Sequence, residues 1–218
     1  MKRTYLIALL LFLHISMQSL GQCSISAPTT ACKGEVVELK AGSTQTIDSV
    51  KWDFGDQATG KQTKLNHVYN SAGSFTIKLK VYSGTDSCET TKSITVYEGP
   101  NVKASIDPNS IYCFSDNWVC INDSTTRGSS NGKITKRTIL WGDGSRSLAN
   151  NPSLPAKICH TYGKHGNFSI TVREENQYGC ISEQILAVTL AHRGGFARQI
   201  EGRLRLAGCD QLVGLLLL

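Results

Sequence analysis

The sequence of 218 residues predicts an all-β protein made of two tandem antiparallel β-sandwiches. Apolar and polar residues alternate in short runs, as in residues 75–81, which is the period of a strand with one buried face. Clusters of Gly, Ser, Thr and Asp separate these runs, and neither segment has a run with the period of a helix. A motif with fixed internal spacing occurs twice, so the chain divides into two similar segments.

The first segment covers residues 23–98. Alternation predicts strands around Val37, around Trp52, over residues 75–81 and around Ile94. Glycine- and serine-rich turns lie between them. Short strands with regularly spaced turns indicate a sandwich of about seven strands.

The second segment covers residues 101–190 and follows a predicted joint at Glu98-Gly99-Pro100. Proline cannot continue a central strand, and Gly-Pro marks a change of direction. The sequence after Leu190 loses the alternation, so residues 191–218 are predicted to be an irregular or truncated tail. Strands of the second segment are predicted near residues 118–121, 136–141, 168–173 and 185–190.

The two segments repeat one motif. In both copies, the histidine precedes the tyrosine by two positions, the tyrosine precedes a glycine by four, and the glycine precedes a phenylalanine by two. Agreement at three independent spacings identifies the segments as repeats. The motif residues are Trp52, Asp53, Phe54, Gly55, Asp56, His67, Tyr69 and Gly73 in the first copy, and Trp141, Gly142, Asp143, Gly144, His160, Tyr162 and Gly166 in the second.

These residues resemble the PKD (polycystic kidney disease-type) domain, an immunoglobulin-like sandwich with the pattern W-D-F-G-D-G, H-x-Y and G-x-Y/F-x-V-x-L-x-V. The first copy departs from it at Gln57, where glycine is usual, which predicts a strained turn or a turn of another type. The second copy diverges further, with Ile139 and Leu140 in place of the Trp-Asp pair. The resemblance covers about residues 25–190.

The PKD resemblance implies a secreted or cell-surface module that is not an enzyme and uses no cofactor. Such a module would act as a spacer or as an adhesion module that contacts an extracellular protein or polysaccharide. The alternative is an accessory fragment of a larger extracellular hydrolase, a protease or a glycosidase, because PKD modules often accompany such catalytic domains.

The first 22 residues are predicted to be a signal peptide. Lys2 and Arg3 precede a short apolar run over residues 5–15, and Ser19 and Gly21 suit a cleavage site. The apolar run is too short for a stable membrane span. Leu20-Gly21-Gln22-Cys23 also resembles a lipobox, but Gln22 replaces its small residue, so the sequence favours export without a lipid on Cys23.

Eight cysteines remain after residue 22. An even number in an exported chain indicates disulfides, and the sequence has no C-x-x-C pair of the kind that binds zinc or reacts in thioredoxins. Alignment of the repeats predicts the pairs Cys32–Cys88 and Cys113–Cys180. Cys120 and Cys159 are extra to the second repeat and could pair across it, whereas the partners of Cys23 and Cys209 stay open.

The acidic and histidine residues of the motif could in principle form an acid–base pair or a metal site. Their recurrence in both repeats favours a structural role, in which each aspartate caps turn amides and each histidine packs beside the tyrosine. Calcium on Asp53 and Asp56 is a minor alternative, because carboxylates are ligands of Ca²⁺, but the D-x-D-x-D-G spacing is absent.

Two further functions are unsupported by the sequence. Residues 128–132 match G-x-S-x-G, but the match lies in a Ser/Gly/Asn loop between strands, where a flexible linker is the better interpretation. The formal charge of +6 falls to +4 without Lys2 and Arg3, and the remaining basic residues are scattered. The chain has no basic block with interleaved aromatic residues, so nucleic-acid binding is not expected.

Overall fold

The computed structural model describes residues 22–110, 117–130 and 132–190, together with the backbone of residues 198–200 and 203–205. The chain divides into two compact units, Met1–Val96 and Tyr97–Leu218. Residues 1–21 of the predicted signal peptide, Cys113, Cys209 and most of the predicted tail lie outside the described residues.

The first unit is a sandwich of two antiparallel sheets. One sheet has the strand order β1-β3-β6, and the other has the order β2-β8-β7-β4-β5. The strands are β1 Cys23–Ser26, β2 Thr30–Cys32, β3 Val36–Ser43, β4 Ser49–Asp53, β5 Thr59–Gly60, β6 Lys64–Val68, β7 Gly73–Ser83 and β8 Asp86–Tyr97.

The core of the first unit lies between these sheets. Successive side chains point to opposite faces of a strand, so the alternating sequence of β7 buries every second residue. Leu39 from one sheet and Trp52, Ile77 and Leu79 from the other are fully buried. The opposite face of β7 carries polar residues such as Thr76 and remains in water.

The second unit has its own pair of antiparallel sheets, with strand orders β13-β10-β9 and β12-β11-β14-β15. A separate pair, β16-β17, follows. The strands are β9 Ala104–Ile106, β10 Trp118–Asp123, β11 Ile134–Leu140, β12 Arg146–Asn150, β13 Ala156–Thr161, β14 Gly166–Asn176, β15 Ile181–Leu190, β16 Arg198–Ile200 and β17 Arg203–Arg205.

The core of the second unit combines apolar residues with one charged cluster. Val119, Ile139, Trp141 and Ile170 are fully buried members of its apolar core. At one end of the same interior, Asp123, Arg137 and Glu174 are also buried. These three residues form what we call the charged layer.

The all-β prediction is confirmed, since no helix occurs among residues 22–110, 117–130 and 132–190. The described part of the chain accordingly contains no helix that is both long and apolar enough to cross a membrane.

The predicted Cys32–Cys88 pairing is wrong, because Cys88 forms its disulfide with Cys23, at a Cα–Cα distance of 6.0 Å. Cys32 ends β2, which lies beside the far end of β8, where the Thr95 amide donates to the Thr29 carbonyl. Cys88 lies seven residues before Thr95 on β8, so the two residues are about 23 Å apart at 3.3 Å per residue. A disulfide spans a Cα–Cα distance of only about 4.4–6.8 Å.

A second disulfide joins Cys120 on β10 to Cys159 on β13, at directly opposite positions in the ladder. Cys32 and Cys180 are disulfide-bonded as well. The predicted pairing of Cys113 with Cys180 falls on Cys113, outside the described residues.

The Cys23–Cys88 disulfide also bears on the lipobox. A lipid anchor at Cys23 would use the sulfur atom that here bonds to Cys88. The disulfide and the lipid anchor are therefore mutually exclusive.

Candidate functional site

The first copy of the motif builds a turn at the end of β4. Trp52 and Phe54 are buried, and the Trp52 indole N–H donates to the Gln62 carbonyl at 2.9 Å. Gly55 then adopts a φ of +82°, and a Cβ at this position would come within 2.9 Å of the Thr76 carbonyl oxygen. Only glycine combines this left-handed conformation with so close a backbone approach.

Asp56, His67 and Tyr69 brace this turn. His67 Nε2 lies 2.8 Å from Asp56 Oδ2, and Asp56 Oδ1 accepts the Ala58 amide at 3.1 Å. The Tyr69 hydroxyl donates to the Phe54 carbonyl at 3.1 Å. The His67 ring stacks on Phe54 with 4.2 Å between centroids. Asp56 and Tyr69 thus bond to the backbone of the turn, and His67 contacts Asp56.

The second copy repeats these contacts. His160 Nε2 lies 2.7 Å from Asp143 Oδ2, and Asp143 Oδ1 accepts the Ser145 amide at 2.9 Å. The Tyr162 hydroxyl donates to the Trp141 carbonyl at 2.8 Å, and Trp141 stacks on His160 at 4.8 Å. The same bonds in two divergent sequences indicate that the cluster closes the turn.

The glycines and phenylalanines of the motif complete both copies. Gly73 opens β7 and Gly166 opens β14. Phe75 then packs on Tyr69 at a centroid distance of 4.5 Å. In the second copy, the corresponding pair is Phe168 and Tyr162, at 4.4 Å.

Burial and hydrogen bonding fix the protonation states of these groups. Burial, reinforced by the Asp56 charge, raises the pKa of Tyr69 to about 12. Burial, reinforced by the Asp143 charge, also raises the pKa of Tyr162. Burial alone would raise the pKa of Asp143, but hydrogen bonds from Ser145 and His160 outweigh it and lower the pKa to about 2. At neutral pH the tyrosines therefore donate and Asp143 accepts.

Ser145, His160 and Asp143 contain the residue types of a catalytic triad but not its geometry. Ser145 Oγ lies 3.1 Å from His160 Nε2, which is the same nitrogen that contacts Asp143. In a triad, the aspartate holds one ring nitrogen and the serine contacts the other. The Ser145 hydroxyl instead donates to Asp143 Oδ1 at 2.5 Å.

The candidate calcium ligands are also engaged within the fold. Asp53 Oδ1 accepts the Gly55 amide at 2.9 Å, and Lys78 Nζ lies 4.0 Å from Asp53 Oδ2. Both oxygens of Asp56 have partners, as described above. The described residues contain no group of three or more His, Cys, Asp or Glu side chains placed to hold a metal ion.

Two residues of the G-x-S-x-G run, which we interpret from the sequence as a flexible linker, have hydrogen-bond partners outside the run. Ser129 donates its hydroxyl to the Glu98 carboxylate, and the Glu98 amide donates to the Ser130 hydroxyl. Two backbone hydrogen bonds between Asn101 and Thr126 extend this contact. The run lies between β10 and β11, whereas a nucleophile elbow requires a strand-to-helix turn.

One shallow groove of about 190 Å³ lies on the outer face of the first unit. Lys80 bonds to Glu89 at 2.7 Å there, and Lys51 lies directly opposite Lys80 in the ladder. The groove is lined by Lys51, Trp52, Asp53, Lys78, Leu79, Lys80, Glu89, Thr90 and Thr91.

A known domain family matches the first unit of the chain. The family model for the PKD domain matches residues 22–97. The PKD resemblance is thereby confirmed for the first unit, and the second unit lies outside this match.

Several solved β-sandwich structures are similar to the chain. The fibronectin(III)-like modules of Clostridium thermocellum CbhA share 16% identity over 78% of this chain and 94% of theirs, with a TM-score of 0.42. The PKD1 domain of Vibrio anguillarum Epp shares 21% identity over 37% of this chain and 96% of its own, with a TM-score of 0.33. A carbohydrate-binding module of the β-sandwich superfamily shares 14% identity over 79% of this chain and 85% of its own, with a TM-score of 0.35.

The PKD-type turn of the first unit is strained at Gln57. Its φ is +76°, close to the +92° of Gly144 at the same place in the second copy, so the two turns are alike. Such a φ costs a non-glycine residue about 1–2 kcal/mol. We expect Gln57→Gly to stabilise the first unit by up to about 1 kcal/mol, measured by urea unfolding. An unchanged or lower midpoint would contradict strain at this residue.

Asp143 is expected to stabilise the second unit through its bonds to Ser145 and His160. Because its pKa is lowered, this contribution is present above pH 3.8 and is lost as the pH falls through about 2. We expect Asp143→Ala to cost about 1–2 kcal/mol at pH 7, measured by urea unfolding. Lys164→Ala, a change on an exposed loop of the same unit, serves as the control and should cost less than about 0.5 kcal/mol.

Proposed function

We propose that the chain is an exported, non-catalytic module in which two PKD-type sandwiches act as a spacer. The observation that supports this most strongly is that the polar residues of both motif copies bond to their own turns. A catalytic or metal-binding role would require those carboxylates and histidines to face a ligand instead.

The second unit fits this proposal as a divergent PKD copy. It has the same aspartate–histidine contact, the same tyrosine-to-carbonyl bond and the same glycine conformation at the turn. Its differences lie in the charged layer of the core and in the additional disulfide of the β10–β13 ladder.

An extracellular or cell-surface location agrees with the cysteine chemistry. Disulfides form and persist in oxidising compartments and are rare in the cytosol. Cys23, Cys32, Cys88, Cys120, Cys159 and Cys180 are all disulfide-bonded. The predicted signal peptide supplies the export route.

A binding and activity screen of the oxidised full chain tests the spacer role. The chain is applied to an array of neutral and acidic polysaccharides and to extracellular matrix proteins, and it is assayed for ester, peptide and glycoside hydrolysis. We expect neither binding nor turnover. Hydrolysis that disappears in a folded His160→Asn variant would overturn the non-catalytic assignment.

Binding in the same screen would favour the adhesion version over the spacer. The groove of the first unit is then the first surface to test. A Lys51→Glu/Lys80→Glu variant should lose an acidic ligand if the groove binds it. Lys33→Glu/Lys61→Glu, which places the same charge change at exposed positions outside the groove lining, is the matched control.

A further inference from the structure

The charged layer of the second unit occupies positions that are apolar in the first. Arg137 pairs with Glu174 in the β11–β14 ladder as Val50 pairs with Val81 in the β4–β7 ladder. Asp123 likewise takes the place of Ala41. Asp123 lies two residues after Ile121, which pairs with Ile158. Ala41 lies two residues after Leu39, which pairs with Leu65. An apolar layer is thus replaced by three ionisable residues in an otherwise similar sandwich.

The layer contains two acids and one base. Arg137 Nε donates to Glu174 Oε1 at 2.6 Å, and Arg137 Nη2 lies 2.7 Å from Asp123 Oδ2. All three side chains are almost wholly inaccessible to solvent, at 4% for Arg137 and 0% for each acid. Fully ionised, they would carry a net charge of −1 in the interior, which is costly unless a proton or a second cation neutralises it.

The hydrogen bonding of the charged layer is also incomplete. Asp123 Oδ1 accepts the amide and the hydroxyl of Thr125. Asp123 Oδ2, Glu174 Oε2 and Arg137 Nη2 have no hydrogen-bond partner, although Arg137 Nη2 lies 2.7 Å from Asp123 Oδ2. A proton on Glu174 would supply the missing donor, since Asp123 can accept a hydrogen bond from the protonated Glu174 carboxyl.

The residues paired with the two acids on the neighbouring strands are uncharged. On β15, the residue opposite Glu174 is Ser182, and on β13 the residue opposite Asp123 is Ala156. β9 places Ala104 opposite Asp123. Arg137 is the cation that contacts both acids.

We propose that the charged layer is a pH-sensitive element, in which a proton held between Glu174 and Asp123 makes the second unit more stable in mild acid than at slightly alkaline pH. The first unit, with Ala41, Val50 and Val81 in its core, lacks this response.

The direction follows from the protonation equilibrium of Glu174. Burial, together with the Asp123 carboxylate and against the opposing effect of Arg137, raises the pKa of Glu174 from 4.5 to about 7. An acid whose pKa is higher in the folded state takes up a proton on folding. Its stabilising contribution is therefore complete below pH 4.5 and is lost as the pH rises through about 7.

The expected response is large enough to measure. For these two pKa values, linkage predicts that the unfolding equilibrium constant of the second unit increases roughly 50- to 100-fold between pH 5 and pH 8. Peptide-resolved hydrogen exchange of the full chain, corrected for intrinsic rates, reports each unit separately. Protection of β11 and β14 should fall by this factor, beyond any change in β4 and β7.

Glu174→Gln is the decisive variant, because glutamine imitates the protonated acid at every pH. We expect it to equal the wild type at pH 5 and to be more protected at pH 8, so that the difference between the two pH values largely disappears. Glu183→Gln, on the exposed face of β15, is the matched control and should keep the wild-type response. A response that survives Glu174→Gln, or protection that increases from pH 5 to pH 8, would overturn the proposal.

A direct titration guards against a variant that fails to fold. The carboxyl carbon of Glu174 in the wild-type chain, labelled with ¹³C-glutamate, should titrate near neutrality. Titration near pH 4.5 in the folded wild type would overturn the proposal regardless of the variants.

Discussion

Replacing Arg137 with methionine is expected to destabilise the second unit by about 3–5 kcal/mol at pH 8. The substitution removes the only cation of the charged layer and leaves Asp123 and Glu174 buried without a counter-charge. Breaking a buried ion pair by removing one partner typically costs this much. Hydrogen exchange in increasing urea, read separately for β10, β11 and β14, measures the effect.

The triple variant Asp123→Ala/Arg137→Met/Glu174→Leu supplies the matched comparison. It removes all three charges while nearly conserving side-chain volume, and buried ion clusters replaced in this way are often neutral or more stable. Asp123→Ala also removes the carboxylate that accepts the Thr125 amide and hydroxyl, and this loss offsets part of the gain in stability. We expect the triple variant to lie within about 1 kcal/mol of the wild type or above it. A triple variant as unstable as Arg137→Met would show that packing, and not charge, determines the loss.

Removing the Cys23–Cys88 disulfide is expected to destabilise the first unit by about 2–4 kcal/mol. The disulfide spans a sequence separation of 65 residues and joins β1 of one sheet to β8 of the other. Closing a loop of this length lowers the entropy of the unfolded chain, and this entropy loss alone corresponds to a stabilisation of about 4 kcal/mol. The double variant Cys23→Ser/Cys88→Ser is used, so that no unpaired thiol remains.

Two measurements test this prediction. Urea unfolding of the first unit gives the change in free energy, and Cys120→Ser/Cys159→Ser is the control because its disulfide lies in the second unit. Non-reducing peptide mapping of the wild type should recover Cys23 linked to Cys88. Recovery of Cys32 linked to Cys88 would contradict the structure.

The strands and the turn of the motif were predictable because their signals are local. Alternation along β7 follows from one buried face, and Trp52 to Gly55 marks the end of a strand within a few residues. The spacing of His67 and Tyr69 repeats at His160 and Tyr162, and that recurrence predicted a structural role without showing which atoms are bonded.

The disulfide pairing could not be derived in the same way. Cys23 has no counterpart in the second repeat, so the repeated positions indicate no partner for it. Its partner depends on β1 and β8 lying in opposite sheets that face each other. The pairing of cysteines distant in sequence is set by this arrangement of sheets.

The charged layer was missed because each of its residues reads as an ordinary surface charge. One signal was present: in the repeat alignment, Arg137 and Glu174 replace Val50 and Val81, which belong to apolar faces. An ionisable residue on the buried face of a strand requires a partner in the interior. That substitution predicts a buried Arg137–Glu174 pair but gives no signal for Asp123, which lies on another strand.

The sequence by itself determined the all-β class, the repeat, and the turn that Trp52-Asp53-Phe54-Gly55-Asp56 forms, because hydrophobic period, glycine and short spacings act over a few residues. Only the tertiary structure decided that Cys23 reaches Cys88 and that Asp123, Arg137 and Glu174 meet in one core. Those contacts join strands far apart in the chain, and their energies depend on burial, which arises only when the sheets pack together.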